Sequence, residues 1–301
     1  MTLVVGVDPG HRSASALNLA AMLARSADTD LVVAAVVPRT WHLSVGSADA
    51  EWRQHTRATA DAALDHAAAV LGDAVPARYL VHEAASVRRG LLELAEEHAA
   101  DLVVVGSSVT APTGRIALGS ETDGLLHVSP VPVAIAPRGF RAPEASRVGR
   151  VTAAYHGTDT SADLVHGAAD VAGRVGAALR IASFAVVPPV SGAAGTGLDI
   201  EQSIADSWAA DVQRHAAQLL SEVSALADPP TLEGTVIGRG DDWEGAIADV
   251  PWEQDEVLVV GSSSLGPLAR VFLGSHATKV VRNSPVPVVV VPRGALEHDH
   301  R

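Results

Sequence analysis

Cysteine is absent from the 301 residues, and aromatic side chains make up only 3% of them. Without thiols there can be no disulfide, no thiolate nucleophile and no cysteine-ligated zinc. The absence is compatible with a reducing compartment, and a cytoplasmic location is expected. The chain opens on an apolar strand, Leu3-Val4-Val5, with no basic segment and signal-type apolar run ahead of it. No apolar stretch approaches the roughly 20 residues that span a bilayer, so no membrane association is expected. Basic residues are outnumbered, 22 against 35 acidic, for a net charge of −13. A surface of that sign repels a phosphate backbone and argues against nucleic acid as a partner. It leaves room for a mononucleotide, because a local ring of backbone N–H groups can hold phosphate against an unfavourable global field.

Hydrophobic residues supply 48% of the chain, mostly Ala, Val and Leu. That composition favours helices packed on Val-rich strands over an aromatic-rich β-sandwich. The length suits two domains of about 150 residues, each able to bury its own core.

A repeat organises the chain. Residues 106–139 and 261–294 align without a gap over 34 positions at an offset of 155, with 16 identities. Upstream, Leu3–Val7 corresponds to Arg150–Ala154 at an offset of 147, and the AVVP of Ala35–Pro38 recurs at Ala185–Pro188, an offset of 150. The drift implies insertions in loops and helices, where compact folds tolerate them. The polar, proline-containing stretch Phe140–Arg147 suits a linker between domains at residues 1–140 and 147–294.

Within each half, short apolar runs alternate with helical periodicity. In the first half strands are predicted at Leu3–Val7, Leu31–Val37, Arg78–Val81, Leu102–Val105 and Val131–Ile135. Helices are predicted over Ser13–Arg25, Ala48–Leu71, Val87–His98 and Ser120–His127. The second half repeats the order, with a helix shortened by Pro251 before Val257–Val260. A βαβαβαβαβ order with right-handed crossovers gives an α/β fold: two tandem, doubly wound, parallel five-stranded sheets, Rossmann-like.

Ligands of such sheets bind beyond the carboxyl ends of the strands, at the topological switch point. Two loops therefore matter, after the first and the fourth strands. Gly106-Ser107-Ser108 follows the fourth strand, and Gly119-Ser120 opens the next helix thirteen residues on. Gly261-Ser262-Ser263 and Gly274-Ser275 repeat that separation. A Gly-Ser pair at a helix start offers free N–H groups and a hydroxyl to an anion. The alternative is structural, with Gly106 and Gly261 ending strands and Ser120 and Ser275 acting as plain caps. Arg115 and Arg270 hold equivalent loop positions, as phosphate clamps or as solvated loop residues. Glu121 would repel phosphate, whereas His276 at the equivalent place would not, which favours the second half for phosphates.

No G-x-G-x-x-G follows a strand, no G-x4-G-K-[ST] occurs, and neither Gly-Ser-Ser segment forms a G-x-S-x-G elbow. The thirteen histidines form no H-E-x-x-H; His298-Asp299-His300 suits adventitious metal binding only. Trp41, Trp52, Trp208, Trp243 and Trp252 show no stacking-platform spacing, so packing or interface roles are expected.

The pattern G-x2-G-x9-G-[ST] after a Val-rich fourth strand, closed by the SPVPVxxxPRG segment, resembles the ATP-binding signature of the universal stress protein (UspA-like) superfamily, whose fold is adenine nucleotide alpha hydrolase-like. The resemblance covers nearly the whole chain twice. It implies that Gly106, Gly119 and Ser120 line ribose and phosphates in the first half, and Gly261, Gly274 and Ser275 in the second. Val7-Asp8-Pro9-Gly10 is similar to the family's first loop, which places Asp8 at the adenine and ribose end; Tyr155 stands at the equivalent place in the second half. Both halves depart from the motif at its middle glycine, with Val109 in the first and Ser264 in the second, where Gly266 nearby adds freedom.

The resemblance implies a tandem, non-catalytic module for ATP, or for ADP or AMP, in stress response and signalling, with Mg2+ only alongside the nucleotide. It further implies an intrachain pseudo-dimer through the fifth strands, Val131–Ile135 and Val286–Val290, and a homodimer beyond that. Two alternatives stand beside it. One is a slow ATP hydrolase or nucleotidyl-transfer enzyme of the same fold, for which Asp8 and Glu121 are the placed carboxylates. The other is a tandem scaffold whose nucleotide sites have decayed.

Overall fold

A computed structural model describes residues 2–11, 13–39, 47–73, 75–143, 145–187, 197–262 and 273–292, without the side chains of 47–49 and 197–205. The chain divides into two compact units, with the changeover between Arg147 and Val148.

The first unit carries β1 (Thr2–Val7), α1 (Ser15–Ala27), β2 (Asp30–Pro38), α2 (Ser47–Leu71), β3 (Ala77–Ala84), α3 (Val87–Glu97), β4 (Leu102–Gly106), α4 (Ser120–Leu126) and β5 (Val133–Ala136). All pairings are parallel, in the order β3-β2-β1-β4-β5. The central strands are buried on both faces, as continuous Val-rich runs require. Ser86 accepts from the Arg89 amide at 3.2 Å and so starts α3. Leu91 and Leu94 of that helix are buried; Leu91 packs beside Gly6 of β1.

The second unit carries β6 (Arg150–Ala154), α5 (Asp159–Val175), β7 (Ala178–Val186), α6 (Gly197–Ser224), β8 (Leu232–Gly240), α7 (Trp243–Ala248), β9 (Glu256–Gly261), α8 (Ser275–Asn283) and β10 (Val288–Val291). Its order is β8-β7-β6-β9-β10, again parallel throughout. A Thr158–Ser161 capping box starts α5 and Gly176, at φ 70°, ends it.

The predicted α/β order therefore holds in both halves, with differences at boundaries. The fifth strands begin later than the apolar runs do, at Val133 and Val288. The preceding Pro132 and Pro287 lack an N–H, but their carbonyls accept from Val103 at 3.0 Å and Leu258 at 2.9 Å. The AVVP match misplaces the second strand. Strand register sets Ala35 opposite Val7 and Ala182 opposite Ala154, so the offset is still 147 there, not 150. The Phe140–Arg147 stretch is tied to α1: Arg25 Nε donates to the Ser146 carbonyl at 2.9 Å and Asn18 Nδ2 to that of Phe140 at 3.5 Å.

Candidate functional site

The order β3-β2-β1-β4-β5 puts the switch point of the first half between β1 and β4. Register aligns Val5 with Val104, so Asp8 and Gly106 leave the sheet side by side at its carboxyl edge. Asp8 is exposed and structured. Its Oδ1 accepts from the Gly10 amide at 2.8 Å, and its Oδ2 lies 2.9 Å from Nδ1 of His11. Sequence reasoning missed this partner; the spacing of three residues around Pro9-Gly10 was the available signal.

The loop after β4 is closed by its own hydrogen bonds. The Ser107 amide donates to Ala136, the Ser108 amide to Ala117, and the Ala117 amide to Ser107 Oγ, each at 2.9 Å. Ala111 and Ile116 are buried, and Arg138 Nη1 holds the Ala111 carbonyl at 2.6 Å. The turn is made at Gly114, φ +76°. Val109, at the family's middle-glycine position, is 46% exposed and is not among the residues of positive φ, so the loop folds without the left-handed residue that β-branching forbids. Arg115 is half-buried on this loop; its amide donates to Pro112 and its carbonyl accepts from Arg138.

Gly119 caps α4 at φ −73°, ψ 166°, and the first helical bond runs from Asp123 to its carbonyl at 2.8 Å. The amides of Ser120, Glu121 and Thr122 ahead of that bond face outward from the helix start, as the geometry of a helix end dictates. Neither Gly106 nor Gly119 adopts a positive φ. A Cβ on Gly106 would stand 3.9 Å from Ala16 Cβ, and one on Gly119 would stand 3.8 Å from Ser108 Cβ, both ordinary contacts. Neither backbone conformation nor packing demands glycine at these two places. Glu121 does not face this edge with a free carboxylate, because its Oε2 accepts from the Arg88 amide at 3.0 Å and helps cap α3.

The mouth of the second half is different. Tyr155, just past β6, is buried, with its amide bonded to Ala182 and its carbonyl to Ser183 Oγ, each at 2.8 Å. Burial, and then the charge of Asp159, push its phenol pKa up. Gly261 ends β9, and Gly274 caps α8 at φ −59°, with Ser275 opening the helix. Ser264 and Arg270 lie outside the described residues. His156 meets His276 of α8 edge-on, with ring centroids 5.1 Å apart. Trp208 of α6 lies 6.0 Å from His156, Trp243 of α7 lies 5.2 Å from His276, and Lys279 Nζ sits 5.7 Å above Trp243. Burial, and then His276, lower the pKa of His156. The spacing of these residues in sequence gave no hint of this cluster. Trp252 does pack: it donates to the Ile247 carbonyl at 2.7 Å and lies over Arg180.

Among the described residues, no helix is long and apolar enough to cross a membrane. Two parallel five-stranded sheets of this order, each with a Gly-Ser helix start after its fourth strand, define a duplicated, doubly wound α/β protein. The Universal stress protein family model matches residues 1–137 and again 148–292, and the chain belongs to that family, as a tandem of two such domains. It is 36% identical to a universal stress protein of Mycobacterium tuberculosis over 296 residues, which cover 97% of this chain and 100% of that one. Among solved structures, a universal stress protein from Archaeoglobus fulgidus superposes with a TM-score of 0.64 at 19% identity, covering 97% of this chain and 98% of the other. A putative universal stress protein from Pseudomonas aeruginosa gives 0.56 at 17% identity, covering 99% and 95%.

Proposed function

We propose that the chain is a non-catalytic adenine-nucleotide-binding module in stress signalling, with its principal site at the β1–β4 mouth of the first half. One observation carries the reading: Gly106 and Gly119 are glycine where neither φ nor neighbouring atoms require it. Bare backbone at those points lets a ligand approach closely, and the α4 amides beside it favour phosphate. Asp8, fixed by Gly10 and His11, retains acceptor capacity for sugar hydroxyls. ATP, with Mg2+ only in its company, is the proposed ligand, and ADP or AMP fit the same donors. Pairing of the two fifth strands and a homodimer belong to this proposal and rest on the apolar edges read in the sequence.

The hydrolase alternative is weaker for a physical reason. Glu121, one of the two carboxylates that reading relies on, has an oxygen committed to the start of α3, so it is not held ready as a base beside the Gly-Ser loop.

The test is equilibrium binding of a fluorescent ATP analogue to wild type, Asp8→Ala and Gly106→Val, with product analysis by mass spectrometry. Each substitution is expected to weaken binding at least about tenfold, with no ADP formed. Unchanged affinity in both variants would overturn the site, and steady ADP release would overturn the non-catalytic reading.

A further inference from the structure

The nucleotide reading uses the carboxyl edge of the first sheet. At the opposite edge, where β1, β2 and β3 begin and α3 ends, lies a cavity of about 290 Å³, partly open to solvent. Thr2, Asp30, Arg78 and His98 line it, together with Val32. Register sets Thr2 opposite Asp30 and Val32 opposite Arg78, and Asp30 stands two residues before Val32. All four therefore leave the same face of the sheet. That is the face α3 covers: a Cβ on Gly90 of α3 would stand 2.6 Å from Cγ1 of Val36, which shares its face with Val32. His98, the C-cap of α3, lines the cavity from the helix side.

We propose that this cavity is a second ligand site, for a small zwitterion of the α-amino acid class, with its ammonium on Asp30 and its carboxylate on Arg78. The inference does not rest on the nucleotide reading.

Both charges are uncommitted. Among the described residues, Asp30 and Arg78 form no ion pair or side-chain hydrogen bond with each other or with a third group. Diagonal places on adjacent parallel strands lie about 8 Å apart at Cα, a gap that a guest of a few heavy atoms spans. A simple anion would meet the carboxylate as well as the guanidinium, and a simple cation would meet the guanidinium as well as the carboxylate. A molecule that carries both signs gives each a charge-assisted hydrogen bond. The volume is at the lower end for ligand pockets, which limits the guest to a small one. Asp101, the nearby carboxylate, is already engaged: it accepts from the Thr2 amide at 2.8 Å, and its own amide donates to the Thr2 carbonyl at 2.9 Å. Nε2 of His98 is closed to solvent and has no hydrogen-bond partner among the described residues. A ring not held by a hydrogen bond at that atom can turn to meet a polar group of the guest. The second half shows that the fold does not require these groups. At the 147 offset Thr2 and Asp30 correspond to Gly149 and Ala177, and strand register puts Leu232 in the place of Arg78.

The experiment screens the proteinogenic L-amino acids against the full chain by saturation-transfer NMR. Those that bind are then titrated by calorimetry, with and without saturating ATP. The expected result is one saturable site per chain for at least one small amino acid, unaffected by ATP, because the length of β1 puts about 17 Å between the two edges. The matching amine and the matching carboxylic acid, each lacking one charge, should bind at least about tenfold more weakly. Asp30→Asn and Arg78→Gln should each weaken binding to the same degree; both positions are exposed, and unchanged thermal melts confirm that the variants fold. No binding by any amino acid overturns the proposal, and so does unchanged affinity in either variant. Displacement by ATP overturns it too, because the guest would then belong to the carboxyl-edge mouth.

Discussion

Arg180 and Glu256 meet through a 2.6 Å charge-assisted hydrogen bond. Glu256 is fully buried at the head of β9. It also accepts from Arg150 Nη1 at 3.1 Å, from Thr152 Oγ1 and from the Glu253 amide at 3.0 Å. At the 147 offset, Arg150, Thr152 and Arg180 correspond to Leu3, Val5 and Val33, all buried. The cause lies in the helix above: α3 runs for 11 residues, but α7 for only 6 before Pro251 follows. The cover that is lost is replaced by Trp252 over Arg180 and by the Pro251 carbonyl, which accepts from Arg180 at 2.9 Å. Burial disfavours charge on both guanidiniums. It prevails at Arg180, whose pKa is lowered, but at Arg150 the carboxylates of Glu256, Glu253 and Glu233 outweigh it and the pKa is raised.

Glu256→Gln is therefore expected to destabilise the second unit by about 3–5 kcal/mol, because it leaves two buried guanidiniums without their shared anion. Differential scanning calorimetry should show the loss in one transition, with the first unit's transition unmoved.

Gly238→Ala tests how α7 sits on β8. A Cβ there would overlap the Ala246 carbonyl oxygen and come within 2.8 Å of Val250 Cγ2. Helix backbone cannot rotate away as a side chain can, so a loss of about 3 kcal/mol is expected. Urea unfolding followed by Trp fluorescence measures it.

Gly106→Ala gives the opposite result for stability. Its Cβ meets nothing closer than 3.9 Å, so stability should stay within about 0.5 kcal/mol of wild type while ATP-analogue affinity falls several-fold. Val109→Gly, at an exposed position, should raise that affinity at a cost of about 1 kcal/mol or less. Paired thermal melts and binding isotherms separate the two effects.

The pH dependence of stability has a definite sign at His156. Its folded pKa is depressed, so the unfolded chain binds protons more readily. Stability is then unaffected above the usual imidazole value of about 6.5, and declines as pH falls from there through the folded pKa. His156→Gln should flatten that decline in melting temperatures measured against pH.

Periodicity and self-similarity in the sequence were enough for the duplicated α/β architecture. Val-rich runs of four to six residues, and helices such as Val87–Glu97 with Leu91 and Leu94 on one face, are local signals that need no distant partner. The Gly-Ser helix starts were legible for the same reason, since a cap is set by its own neighbours. Proline blurred the fifth-strand boundaries, and a chance AVVP match hid the true register of the second strand.

Only tertiary structure decided what the edges of the sheets do. Glu121 reads as a charge beside phosphate until Arg88, 33 residues away, takes its carboxylate. His156 and His276, 120 positions apart, come together only because parallel pairing brings β6 beside β9. Arg150 and Glu256 do so across 106. Chain order fixes which strands can form; which side chains then face one another is set by crossover topology, and no window along the sequence contains that.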